Sequence, residues 1–285
     1  MPRNGLVSRT LLFTGRIIAL LSLALAAFVM AAGSAQAQGK TEVLWLGQSA
    51  FRIKSPGGKV IVVDPWLSNG AKTPAAYKDP AALGKVDLLL VTHGHVDHLG
   101  DAPAIAKLNN TPLYGPTDMV VSLITLGVIP GNHARLLNKS GAVTPLPGIK
   151  VTAVKADHSS LVVWNNPATG KNESHPGGEP LGYIIQMENG FRIWHMGDTG
   201  LFPDMQFISE YYKPDLVLIP TGGNFTMDHD DAAFAARTWI KPKYIVPIHY
   251  GGNPIAKGTL SGFQAAMQGS AITVIPMTEG QTVEF

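Results

Sequence analysis

Three histidines and two aspartates stand within nine positions in His93-Gly94-His95-Val96-Asp97-His98-Leu99-Gly100-Asp101, in a chain of 285 residues that has only nine histidines. Imidazole and carboxylate are the usual ligands of zinc, manganese and iron, and a loop leaving a strand can turn several of them toward one point. His93 and His95, two apart, can both reach one ion, and Asp97 and His98 can turn toward a second. A lone histidine is most often a surface or hydrogen-bonded side chain. Four ligand-type residues in six positions, directly after the apolar run 86–91, are poorly explained that way. A loop this short does not complete two metal sites, so further donors must come from other strand ends. Three candidates stand there: His158 after the run 151–154, Asp198 after 191–196, and His249 after 244–248.

The elements that must hold these residues are short and mostly apolar. Runs rich in Val, Ile and Leu at 43–46, 51–53, 60–63, 86–91, 151–154, 181–187, 191–196, 216–219, 244–248 and 272–275 predict strands. Several, such as Asp87-Leu88-Leu89-Leu90-Val91, are apolar at consecutive positions, as strands covered on both faces are. Helices are expected at 102–108, 118–126, 204–212, 229–240 and 261–267. Thr226 is the expected cap of the fourth, with Asp228, Asp230 and Asp231 near its positive end. The stretch 165–180, rich in Gly, Asn, Ser and Pro, predicts a long loop, either a lid facing substrate or a surface insertion. Strands with interspersed helices imply an α/β or α+β domain with stacked sheets.

The first 37 residues have a different character. Arg3, Arg9 and Arg16 precede an uncharged apolar run, 17–32, and Ser34-Ala35-Gln36-Ala37 supplies small residues at a cleavage position. This is the layout of a secretory signal peptide, with an uncleaved anchor as the alternative. The expected mature domain is 38–285, working in the periplasm and touching the membrane only through the signal segment. Without residues 1–37, Lys+Arg falls from 22 to 19 against 20 Asp+Glu, a net charge of −1. No basic stripe remains for nucleic acid, and a small-molecule substrate is expected instead. No cysteine is present, so stability must come from the core and from bound metal rather than disulfides.

An HxHxDH motif, a distant His, a Gly-Asp-Thr and a late His, in that order, resemble the metallo-β-lactamase superfamily. Val63-Asp64-Pro65-Trp66 and Gly223-Asn224-Phe225-Thr226-Met227 resemble a branch of small metal-dependent hydrolases related to ascorbate-6-phosphate lactonase. The resemblance implies a four-layer αβ/βα sandwich with two divalent ions at one edge, zinc by preference, with manganese or iron also accepted by these ligands. It places His93, His95 and His158 on one ion, Asp97, His98 and His249 on the other, and Asp198 on both. The implied reaction is hydrolysis of a small ester, lactone or amide by a hydroxide shared between the ions, with Asp97 also taking or orienting a proton. A di-iron redox protein and a metal-dependent phosphodiesterase or nuclease are the alternatives on the same ligand set.

Further residues complete the candidate site. Asp64, at a strand end, either fixes a ligating imidazole or forms a turn. His195 lies on the strand leading to Asp198, where a buried, hydrogen-bonded histidine is expected more than a ligand. Asn224, Thr226 and Tyr250 are candidates to face substrate. His229 is either an accessory ligand or a residue at a helix start.

Overall fold

The computed structural model describes residues 39–285, and the signal segment expected over 1–37 lies outside the described residues. With strands numbered along the chain, the first sheet has the order β16 (Thr282–Glu284), β1 (Glu42–Gly47), β2 (Ala50–Lys54), β3 (Val60–Val63), β4 (Leu88–Leu90), β5 (Leu113–Pro116), β6 (Ala134–Leu137). The second has the order β15 (Thr273–Val274), β14 (Tyr244–Ile248), β13 (Leu216–Pro220), β12 (Arg192–His195), β11 (Leu181–Gln186), β8 (Ile149–Lys155), β7 (Ala142–Leu146).

The consecutive apolar positions have a direct structural reason. In β1, Val43 and Trp45 enter a cluster between the two sheets, while Leu44 and Leu46 enter another on the outer face. In β4, Leu88 and Leu90 face inward and Leu89 outward. The inner cluster meets Val151, Tyr183, Ile193, Leu218 and Val246 from the second sheet. The outer face of the first sheet packs on Ile105 of α2 (Ala102–Asn109) and Val120 and Leu123 of α3 (Thr117–Thr125), after the single turn α1 (Val96–Leu99). The outer face of the second packs Val217 and Ile245 on Met205 and Ile208 of α4 (Asp204–Tyr212), Ala232 of α5 (His229–Phe234) and Phe263 of α6 (Leu260–Ala266). Helix, sheet, sheet, helix is the expected four-layer αβ/βα sandwich. Among the described residues no helix is long and apolar enough to cross a membrane.

Two local expectations are corrected. The stretch 165–180 is not one continuous loop: β9 (Leu161–Asn165) and β10 (Asn172–Pro176) pair as an antiparallel hairpin, and residues 166–171 connect them. Its second strand, Asn-Glu-Ser-His-Pro, is polar and pairs on one side only, so its sequence lacks the β-branched signature of a buried strand. The cap of α5 is Asp228, not Thr226. An Asp228 side-chain oxygen accepts from the amides of Asp230 and Asp231, both at 2.9 Å, whereas the Thr226 hydroxyl donates to the Met227 carbonyl. The helix also starts two residues later than a Thr226 cap requires, and α5 continues into a wider π-helical turn, Ala235–Ile240.

Candidate metal centre

Every residue of the candidate centre stands just past the carboxyl end of a strand. Asp64 follows β3, the His93–His98 segment follows β4, His158 follows β8, Asp198 follows β12 and His249 follows β14. In β3–β4 and β12–β13–β14 the strands run parallel, which brings their carboxyl ends to one edge. The sheets are joined at that edge. The Tyr183 hydroxyl donates to the Val91 carbonyl at 2.6 Å, and the Leu181 amide donates to the Thr92 carbonyl at 2.9 Å.

Three sets of donor atoms converge, each within 4.8 Å: His93, His95 and His158; His93, His98 and Asp198; Asp97, His98 and His249. Residues 93 and 249 are thus neighbours in space. Asp198 Oδ2 lies 3.3 Å from His98 Nε2, 3.3 Å from His249 Nε2 and 3.7 Å from His158 Nε2. Asp198 therefore stands between the first and third sets.

The imidazoles are oriented from behind. His98 Nδ1 donates to Asp64 Oδ2 at 2.8 Å, which turns Nε2 toward Asp198 and His249. Thr92 donates its hydroxyl to the same Asp64 oxygen at 2.7 Å, so its lone pair receives His93 Nδ1 at 3.0 Å. The Thr92 amide, at 2.7 Å, fixes the other Asp64 oxygen. One buried carboxylate thus sets the tautomer of two candidate ligands, a common device behind metal-binding histidines. Asp101, the remaining acid of the cluster, instead accepts from the amides of Leu67 and Ser68 and holds the segment that carries Trp66.

The electrostatics suit a cation. Burial, with His98 nearby, pushes the His93 pKa well below its ordinary value, and burial likewise lowers His95 and His158, so all three offer lone pairs. His93 Nε2 and His95 Nδ1 face each other at 2.9 Å. Burial opposes charge on His98 and His249 too, but Asp198, with Asp64 at His98 and Asp97 at His249, outweighs it and raises both. Burial opposes ionisation of Asp97, yet the hydrogen bond from His249 and the nearby His98 bring it down to about 2. Asp198 is held well below the usual carboxylate range against its burial, chiefly by His249 and His98. A divalent cation takes the place of these protons when it binds such a site. Asp198 Oδ1 is buried without a hydrogen-bond partner, an acceptor left for a ligand to satisfy. Donor type, convergence and this orphaned oxygen all fit bound metal.

Above the centre lies a cavity of about 500 Å³. Trp66, Val96, Phe225 and Ala256 form its apolar wall, and Gln48, Ser159 and Asn253 its uncharged polar groups. Of the other sequence candidates, His195 is buried with both ring nitrogens used, Nε2 on the Ser49 carbonyl at 2.8 Å and Nδ1 accepting from the Gly197 amide at 3.2 Å. Asn224 and Thr226 are off the cavity wall, while their neighbours Gly223 and Phe225 are on it. Tyr250 packs its ring against Trp45 and Lys72, where burial pushes its hydroxyl up to about 12. His229 is outside the three donor sets and lies against Gly262 of α6. Sequence reasoning missed Gln48, Trp66, Ser159 and Asn253. Only Ser159 and Trp66 had a signal, their places beside His158 and Asp64.

The sequence profile described as beta-lactamase superfamily domain matches residues 42–249. A protein of Polynucleobacter asymbioticus named UPF0173 metal-dependent hydrolase is 68% identical over 276 residues, covering 96% of this chain and 97% of its own. One of the same name from Polaromonas is 62% identical, covering 87% and 91%. Among solved structures, Igni18, a metallo hydrolase from Ignicoccus hospitalis, superposes with a TM-score of 0.73 at 31% identity, covering 86% of this chain and 98% of its own. The chain belongs to the metallo-β-lactamase superfamily, among its UPF0173 metal-dependent hydrolases.

Proposed function

We propose that this hydrolase works with two divalent ions, zinc by preference, on a small ester, lactone or amide. The carrying observation is the position of Asp198 Oδ2 between the His93, His95, His158 set and the Asp97, His98, His249 set. Each set would hold one ion and Asp198 would contact both. When bound, such a pair supplies a nucleophile from water near neutral pH and polarises the bond attacked.

The protein's own groups do the rest. Asp64 and Thr92 keep Nε2 of His98 and His93 aimed at the centre. Asp97 is the most solvent-accessible of the acidic donors, with a side chain 28% exposed where Asp198 is 4% exposed. Held ionised, its carboxylate can accept a proton from the attacking water or orient it. The cavity lining has no Lys or Arg among the described residues, which favours a neutral substrate over a phosphodiester.

The N-terminal layout supports action in the periplasm after cleavage near Gln38. The deciding experiment is metal analysis of protein from the cell-envelope fraction, with N-terminal sequencing, followed by a panel of lactones, esters, amides and phosphodiesters. Two ions per chain and turnover of the neutral substrates are expected. Selective turnover of phosphodiesters, or one ion with full activity, would overturn the reading.

A further inference from the structure

Gln48 lies in the tight connection between β1 and β2, far in sequence from every candidate ligand, yet its side chain lines the cavity above the centre. Its backbone is in the left-handed region, at φ 48, which a residue with a side chain occupies at a cost. Two contacts fix it there: its carbonyl accepts from Trp45 Nε1 at 2.9 Å and from the amide of His249 at 3.4 Å. The residue is only 4% exposed, and its Oε1 is buried with no hydrogen-bond partner.

A second observation, from the other sheet, concerns the same carboxamide. A Cβ placed on Gly252 would lie 2.3 Å from Gln48 Oε1 and 2.5 Å from Nε2. Gly252 has no positive φ that demands glycine, so space for the Gln48 amide is what any side chain there would take away. An unpartnered acceptor on a cavity wall without Lys or Arg, its carboxamide seated against the bare Cα of Gly252, is what a substrate hydrogen bond needs.

We propose that Gln48 is a substrate-positioning residue whose side-chain oxygen accepts a hydrogen bond from a hydroxyl or N–H group next to the bond being hydrolysed. This rests on the hydrolase reading above and narrows its substrate to an uncharged ester, lactone or amide carrying such a donor. The apolar wall of Trp66, Val96 and Phe225 receives the rest of the molecule.

The test uses pairs that differ by one hydroxyl: α-hydroxy-γ-butyrolactone and γ-butyrolactone, methyl glycolate and methyl acetate, glycolamide and acetamide. The metal-loaded wild-type protein is expected to prefer the hydroxylated member of the pair it cleaves best by roughly 10- to 100-fold in kcat/KM, the range set by one lost buried hydrogen bond. Gln48→Met keeps length but removes the acceptor, and Gly252→Ala leaves Gln48 in place but pushes its amide aside. Both are expected to bring the ratio near one, chiefly through a higher KM for the hydroxylated member, with metal content unchanged. Gln48→Gly, which tolerates the positive φ, gives the same reading should Gln48→Met fail to fold. A wild-type ratio near one, a ratio unmoved in the variants, or a loss confined to kcat with metal released would overturn the role of Gln48 while hydrolysis itself stood. No turnover of any pair by wild-type protein holding its metal would overturn the assignment of a small ester, lactone or amide substrate, and this proposal with it.

Discussion

At the scale of single residues, Asp64 shows how much of a metal site lies behind its ligands. Its two oxygens receive the Thr92 amide, the Thr92 hydroxyl and His98 Nδ1, and none of its contacts need involve an ion. Asp64→Asn keeps the shape but puts an N–H where an acceptor is needed, so His98 or Thr92 must turn. Metal affinity is expected to fall about 10- to 100-fold, measured by competition with a chromophoric chelator. Unchanged affinity would reduce Asp64 to a turn former. Asp198→Ala is a harsher change, removing the carboxylate that lies between both sets; it is expected to abolish hydrolysis and lower bound metal, and full activity with two ions retained would show that another group bridges. The HxHxDH spacing made His93, His95, Asp97 and His98 legible because short-range spacing is written in the sequence, whereas Asp64 and Asp198 were legible only as acids at other strand ends. Gln48 was not legible, because its meaning depends on Gly252, which approaches it only through the fold.

At the scale of elements, most strands and all five expected helices are present because consecutive apolar residues needed two hydrophobic faces to cover them. The sequence pattern missed β5, β6, β7, β9, β10 and β16; β10 and β16 are largely exposed and polar, and no local pattern pairs β16 with β1 across the whole chain. The β9–β10 hairpin has a role that composition could not reveal. The Ser160 hydroxyl accepts from the Gly94 amide at 3.1 Å, inside the ligand loop, and a Cβ on Gly94 would lie 2.9 Å from the Val162 side chain and 3.0 Å from the Leu161 backbone. The hairpin therefore presses on the loop that carries His93 and His95. Gly94→Val would force them apart, and a cost of about 1 to 3 kcal/mol in stability is expected. Metal affinity should fall with it. Thermal unfolding and metal titration on the same protein check this; normal values for both would show that the hairpin yields freely.

At the scale of the whole molecule, the centre joins two layers that are otherwise held together by the inner apolar cluster. His93, His95, Asp97 and His98 come from the first sheet's edge, and His158, Asp198 and His249 from the second's. Without ions, buried carboxylates and raised imidazoles must balance one another, and Asp198 Oδ1 stays unpaired. Ions that bind the folded chain and not the unfolded one stabilise it by mass action, about 2.7 kcal/mol per site at a hundredfold excess over Kd. For a domain of this size each kcal/mol moves Tm by roughly 2–4 °C. Chelation is therefore expected to lower Tm by roughly 5–10 °C per ion removed, and titrating zinc back should restore it in proportion to occupancy. The same treatment should move Tm of Asp198→Ala much less, since that variant already lacks the residue shared by both sets. A wild-type Tm that stays constant while metal analysis shows the ions gone would mean that the two sheets hold the site, and that the ions serve the reaction without fastening the fold.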